Sequence, residues 1–225
     1  MNDPPPPSPG AIITPELFEH GEPEAPLALL VWRFPESLLA VSSAPLGGGI
    51  GRRDWVINAQ VPHRYSRLDP ETHLAELAFE RGLTGPGVGM LTAVDLRVLW
   101  SGEDRGVRVD VSVGVTLPTW AAAPDEPVHR ADTAPGTINI VGVVPERLSR
   151  AAMVNAVMTV TEAKAQALWD AGIPATGTAS DAVCIICPDE GIAHPFGGPR
   201  SEWGARLARA VYRAVAAGCR AEPAS

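Results

Sequence analysis

Apolar residues recur at every second position in several stretches of this chain, and at every third or fourth in others. These are the periods of strands and helices. The clearest alternation is 107–115, where valine fills 107, 109, 111, 113 and 115, and Arg108, Asp110, Ser112 and Gly114 stand between. Strict period two predicts a strand with one buried and one polar face. Upstream, the apolar runs 27–32 and 38–42 are separated by Phe34-Pro35-Glu36-Ser37, a spacing that predicts a hairpin. Further strands are predicted at 55–58, 88–94, 137–144 and 182–187.

Three helices are predicted, the first two with both start and stop signals. Asp69 suits an N-cap, Pro70 the first helical position and Gly82 the C-terminal end, with Leu74, Leu77 and Ala78 as one apolar stripe. Ser149 caps a second helix reaching about Ala171 and stopped by Gly172; at 1.5 Å per residue it is about 33 Å long. Ser201 opens a third, with Arg206, Arg209, Arg213 and Arg220 on one face and Leu207, Val211 and Val215 on the other. The arginine stripe reads as a solvated face. The order β-β-β-α-β-β-β-α-β-α predicts an α+β fold: a mixed, largely antiparallel sheet or sheets covered by helices in a single domain. Residues 1–24 read as a Pro-rich, extended or disordered tail, 25–217 as one folded domain and 218–225 as a C-terminal tail.

Composition narrows the function. With 225 residues, 45% apolar and 20% charged, the chain can bury a normal core. With a net charge of −8 and a pI near 5.1, no nucleic-acid partner is expected, since a DNA or RNA binder usually shows a basic face. No apolar run reaches the roughly 18 residues that span a bilayer. Residues 1–10 lack the basic and apolar regions of a secretory signal, so a cytoplasmic protein without a membrane partner is expected. Cys184 and Cys187 form a C-x-x-C inside an apolar run, where period two sends them to opposite faces; they read as structural. The histidines at 20, 63, 73, 129 and 194 show no ligand spacing, and no metal site is expected.

Three polar breaks interrupt the apolar pattern: Gly136-Thr137-Ile138-Asn139-Ile140, Thr161-Glu162-Ala163-Lys164, and Ala175-Thr176-Gly177-Thr178-Ala179-Ser180-Asp181. On a wheel at 100° per residue, Asn155, Thr159, Glu162 and Gln166 share one arc, and Met153, Val154, Val157 and Leu168 the far side. Lys164 and Thr161 fall with the second set. A lysine on an apolar stripe either snorkels or is a cation aimed into a site, holding a carboxylate or a developing oxyanion. Glu162 is either solvated or part of a wet cleft with Asn155 and Thr159. Small residues at 175–181 let backbone N–H groups approach a ligand, whereas an ordinary turn has no such duty. Asp181 suits a general base or an orienting group. Ser43, before Gly47, Gly48 and Gly49, is a conceivable nucleophile, although the G-x-S-x-G elbow is absent. Gly87-Val88-Gly89 opens a strand rather than a helix, which excludes a dinucleotide fingerprint.

Several segments occur together in a recognisable order: Ser42-Ser43-Ala44 with Gly47-Gly48-Gly49, Asn58 and Val61, Gly87-Val88-Gly89-Met90-Leu91-Thr92-Ala93, and the three polar breaks. In this the chain resembles the adenosylcobinamide amidohydrolase (CbiZ) family over roughly residues 25–217. The resemblance implies hydrolysis of one amide of a corrinoid, giving adenosylcobyric acid and aminopropanol or its phosphate in cobalamin salvage. The cobalt corrinoid is then the substrate and small-molecule partner, with no resident cofactor. The implied catalytic residues are Ser43, Asn58, Glu162, Lys164 and Asp181. Asp181 or Glu162 would activate water, Lys164 and the N–H groups of 176–178 would hold the oxyanion, and Asn58 with Asn139 would orient the amide. Ser43 or Thr176 as covalent nucleophile is the alternative. The implied substrate-binding residues are Gly47, Gly48, Gly49, Gly87, Gly89, Thr92, Trp120, Gly136, Asn139, Thr176, Gly177 and Thr178. Two departures from the family pattern stand out: Thr116-Leu117-Pro118-Thr119-Trp120-Ala121 replaces a Thr-Ala-Gly…Asn-Ala loop, and Ala179-Ser180 replaces Gly-Thr. A non-catalytic corrinoid binder, or an amidohydrolase or acyltransferase of another substrate, would use the same framework.

Overall fold

The computed structural model describes residues 13–21, 24–124 and 136–221. In chain order these form β1 (Glu16–His20), β2 (Leu27–Ser42), β3 (Gly49–Gln60), α1 (Pro70–Glu80), β4 (Gly87–Thr92), β5 (Trp100–Asp104), β6 (Val107–Val113), β7 (Ile138–Val143), α2 (Arg150–Asp170), β8 (Ala182–Cys187) and α3 (Glu202–Ala221). Among the described residues the strands make one mixed sheet, ordered β4-β3-β2-β8-β7-β6-β5, with β1 also paired to β2. β3–β4 and β7–β8 are parallel; every other pairing is antiparallel. The α+β architecture with a largely antiparallel sheet is the one the element order implies.

The two apolar runs at 27–42 form one strand, not a hairpin. Both halves of β2 run antiparallel to β3, Leu29 opposite Ala59 and Leu39 opposite Arg52, with an irregularity between Arg33 and Leu38. Pro35 lies in that irregularity, where its missing N–H costs no ladder bond. The first half of β2 pairs on its other edge with β1, the second with β8. β1 falls in the segment expected as tail; it and the polar β5 lack the apolar run that marks a strand. β5 and β6 meet in a tight turn at Arg105-Gly106, both with positive φ (46° and 92°), as a hairpin turn with right-handed twist requires. The extreme N-terminal residues 1–12, His129 and residues 222–225 lie outside the described residues, while α3 extends through the expected boundary at 217.

The sheet curls, so its inner face is a core as dense as its outer ones. Ala28, Leu30, Trp32, Ala40, Met90, Cys184 and Ile186 pack inside the curl. Leu29, Val31, Trp55 and Ile57 face α1 through Leu74, Leu77 and Ala78. The valines of β6, with Ile138, Ile140 and Ile185, face α2 and α3. The curl corrects the expectation that β6 exposes its polar side. Asp110 is 2% exposed and Ser112 fully buried. Asp110 accepts from Trp32 Nε1 at 3.1 Å and Ser101 Oγ at 2.6 Å, and pairs with Arg108. Alternation meant two environments, and both are interior.

α1 and α2 begin and end where the caps foretold. Ser149 Oγ accepts from Ala152 N, and Gly82 and Gly172 take positive φ after the two helices. Asp69 precedes α1 but gives its carboxylate to Arg67 instead of capping. The wheel of α2 needs one rotation. Its buried stripe is Ala152, Met153, Ala156, Thr159, Val160, Ala163, Lys164, Ala167 and Leu168, so Val154 is exposed and Thr159 buried. The Thr159 hydroxyl lies within hydrogen-bonding distance of Asn155 O and Gly197 O. The arginine stripe of α3 is also more than a solvated face: Arg209 and Arg213 both reach Asp104 of β5.

Candidate active site

Lys164 points from the buried stripe of α2 toward the ends of β7 and β8. Its Nζ forms an ion pair with Asp181, and the two side chains are only 8% and 10% exposed. Asp181 stands just before β8, and its oxygens are fully engaged. Oδ1 accepts from Ile138 N at 2.9 Å and Thr178 Oγ1 at 2.5 Å; Oδ2 accepts from Thr178 N at 3.0 Å and from Lys164. Those four donors match the roughly four lone-pair sites of a carboxylate. Asp181 therefore has no acceptor position left for a water, which favours the orienting role over the base. Lys164 is the converse. An ammonium carries three N–H bonds, and one is spent on Asp181; no other protein acceptor for it is found among the described residues.

Gly177 covers the pair. A Cβ there would lie 2.3 Å from Asp181 Oδ2 and 2.4 Å from Lys164 Nζ, so any larger residue would have to push the ion pair aside for the loop backbone to stay where it is. The loop is held from the far side too. Thr119 N donates to Gly177 O at 2.8 Å, Thr176 N to Thr119 O at 3.1 Å, and Ala121 N to Thr176 Oγ1 at 2.8 Å. The segment 119–121 is thus bolted to the loop over the lysine. Thr137 and Ser180 share a hydroxyl contact of 2.8 Å. Ser43 is exposed, and its Oγ accepts from Val183 N at 3.1 Å. By the alternation of β2 and β8, Ser43 faces the α2 side with Leu39, Val41 and Val183.

Asn58 and Asn139 stand elsewhere. Ile138 and Ile140 face α2, so Asn139 points into the curl. Asn139 Nδ2 donates to Asn58 Oδ1 at 2.9 Å and to Leu91 O at 3.0 Å, and Asn58 Nδ2 donates to Ser112 Oγ at 3.1 Å. Both asparagines are 1% exposed, and Asn139 Oδ1 has no partner. This clasp ties β3, β4, β6 and β7 together across the curl. Thr92, also buried, accepts from Val94 N.

The glycines divide as well. Gly136 packs on the backbone of Gly114. Gly89 bridges to Leu46, Gly48 lies against Ala44, and Gly49 opens β3 with positive φ. Gly47 and Gly87 line a cleft of about 480 Å³ with Arg53, Trp55 and Phe79 beside α1. Glu162 lies on the solvent face of α2, about 200° around the axis from Lys164. Trp169, unremarked in the sequence, meets Trp120 with ring centroids 6.1 Å apart; a wheel centred on the observed stripe puts it on the outer face. Burial pushes the thiols of Cys184 and Cys187 up to about 12 and about 11. No group of three or more His, Cys, Asp or Glu with metal-site geometry occurs among the described residues, and no described helix is long and apolar enough to cross a membrane.

In this arrangement a buried lysine, held by a saturated carboxylate under a glycine-threonine loop, keeps N–H bonds that no described protein group takes up. The chain belongs to the adenosylcobinamide amidohydrolase (CbiZ) family, whose model matches residues 14–225. It is 33% identical over 185 residues to the adenosylcobinamide amidohydrolase of Methanosarcina mazei, covering 78% of this chain and 88% of that one. Its identity with the protein of the same name from Halobacterium salinarum is 38% over 105 residues, 46% of this chain and 40% of that one. Among solved structures, the PH0078 protein from Pyrococcus horikoshii OT3 matches 86% of this chain and 76% of its own, at 12% identity and a TM-score of 0.45.

Proposed function

We propose that this protein hydrolyses the aminopropanol amide of adenosylcobinamide, releasing adenosylcobyric acid for cobalamin salvage. Family membership supports the reaction class, and the Lys164–Asp181 pair is the observation that carries the assignment of the site. In the reaction the carbonyl–nitrogen bond breaks. The hydroxyl of water joins the carbonyl carbon, and a proton leaves with the amine.

Lys164 binds the amide carbonyl and stabilises the oxyanion that develops on it. Two features support this role: its unspent N–H bonds and its low-dielectric setting, where a fixed cation is worth more than in water. Asp181 is a positioning residue that fixes Lys164 and the loop 176–178. Ser43 supplies or orients the attacking oxygen, a role supported by its exposed hydroxyl on the α2 side of the sheet. Thr176 is less suited to attack, since its oxygen already accepts from Ala121 N. Asn58 and Asn139 act at one remove. Their clasp holds β7, and the N–H of Ile138, the neighbour of Asn139, holds Asp181.

The test is incubation of the purified chain with adenosylcobinamide and chromatography for adenosylcobyric acid and aminopropanol. Wild type should yield both; folded Lys164→Met should lose about 10³-fold in kcat, the scale of one electrostatic contact to an oxyanion. Full activity in Lys164→Met overturns the site. Tight binding of the corrinoid with no product from wild type favours a carrier instead.

A further inference from the structure

Beside the lysine loop stands an aromatic pair that the hydrolytic chemistry does not use. Trp120 and Trp169 lie 6.1 Å apart at an interplanar angle of 58°, and remain 45% and 63% exposed. The two exposed indoles touch one another and so form a small contiguous aromatic surface that a ligand could cover. Trp120 is also held in place before any ligand arrives. Thr119 on one side is bonded to Thr176 and Gly177, and Ala121 on the other to Thr176 Oγ1. Trp169 is set on α2, about 7.5 Å further along the axis than Lys164 and about 140° around it, so it reaches Trp120 from the outer side of the helix. A rigid aromatic surface a short distance from the reacting centre meets a flat ring with little entropic cost.

We infer that Trp120 and Trp169, tilted 58° to one another, form an aromatic corner in which the adenine ring of the adenosyl ligand stacks on one indole and meets the other edge-on, and that they set this chain's preference for adenosylated corrinoids. The inference rests on the substrate proposed above. In adenosylcobinamide the adenine is the one aromatic ring able to lie flat on an indole. The corrin rim carries methyl and amide arms on saturated carbons, which hold a second plane away, and cobinamide has no lower nucleotide base. Every nucleobase presents a π-face, so stacking needs no further donor or acceptor.

Steady-state kinetics on adenosylcobinamide and on cyanocobinamide, which lacks adenine, test this directly. Trp169→Ala and Trp120→Ala should each raise KM for the adenosyl substrate, by about tenfold where the stacked indole is lost and about threefold where the edge contact is lost, with kcat changed less than about twofold. KM for the cyano form should hold within about twofold, and Trp169→Phe should restore most of the affinity. Equal losses on both corrinoids, or no loss on either, overturn the aromatic corner. If wild type hydrolyses neither, the hydrolase reading fails, and calorimetric titration with the same two corrinoids then decides. Adenosyl-selective binding that Trp169→Ala weakens sustains the aromatic corner. No binding by wild type, or equal binding by wild type and variant, rejects it.

Discussion

Two buried polar groups lie on either side of β7, and they solve the same problem differently. On the α2 side, Lys164 and Asp181 bury opposite charges, with Asp181 saturated by four donors and Lys164 keeping N–H bonds to spare. Inside the curl, Asn58, Asn139 and Ser112 are neutral and directed at one another, with a single acceptor over. The first arrangement stores an unfinished interaction at a loop of small residues. The second is spent on joining strands. Burial alone therefore does not distinguish the two groups; what separates them is which valences remain unspent.

The sharpest way to break this comparison is to remove one charge. Asp181→Asn should reduce kcat/KM about 10²–10³-fold, since the ammonium loses its fixed position. It should also destabilise the fold by about 3–5 kcal/mol, the usual result of leaving one member of a buried pair alone. Urea denaturation measures the second effect. Replacing both partners, Lys164→Met with Asp181→Leu, should recover most of the stability and none of the activity. A double variant that regained turnover would mean the pair is only structural.

The neutral clasp should respond in the opposite proportion. Asn139→Ala leaves Asn58 Oδ1 and Leu91 O unsatisfied in the core, at about 1–3 kcal/mol for each orphaned group. Its effect on kcat/KM should stay below about tenfold, because the change reaches Asp181 only through the position of Ile138 N. A loss as large as that of Asp181→Asn, in a protein folded by circular dichroism, would move Asn139 into the site itself.

Much of this contrast was legible in the sequence, and the remainder was hidden for identifiable reasons. Lys164 on an apolar stripe, Ser149 and Gly172 as the ends of its helix, and the small residues of 175–181 all carry local signals. The partnership of Lys164 with Asp181 needed only that the helix return its lysine to the strand that follows. The clasp was hidden because Asn58, Ser112 and Asn139 lie on strands whose meeting depends on curl, and alternation reports two faces without saying which is wet. The same ambiguity put Thr159 on the wrong side of its helix, where threonine can satisfy itself on its own backbone and so accept burial. Pro35 misled in another way: a turn residue inside a strand reads as a hairpin unless the pairing partner of both halves is known.

A third pair calibrates the other two with the smallest effect. Asp104 is buried, but its partners Arg209 and Arg213 are 49% and 55% exposed on their side chains. The hydrogen bond from Arg209 holds the Asp104 carboxyl below the usual carboxylate range, with the charges of Arg209 and Arg213 adding to it. A carboxyl lowered in the folded state contributes stability that is present above its unfolded value and lost as pH falls through its folded value. Asp104→Asn should therefore lower the urea midpoint at neutral pH and make no difference below the folded pKa. Solvated guanidinium groups are screened by salt, so added sodium chloride should shrink the wild-type advantage. The same salt should leave the Lys164–Asp181 contribution nearly unchanged, because that pair is enclosed on both sides. Equal salt sensitivity of the two pairs would mean that the loop over Lys164 admits solvent freely, and the case for a preorganised cation would fall with it.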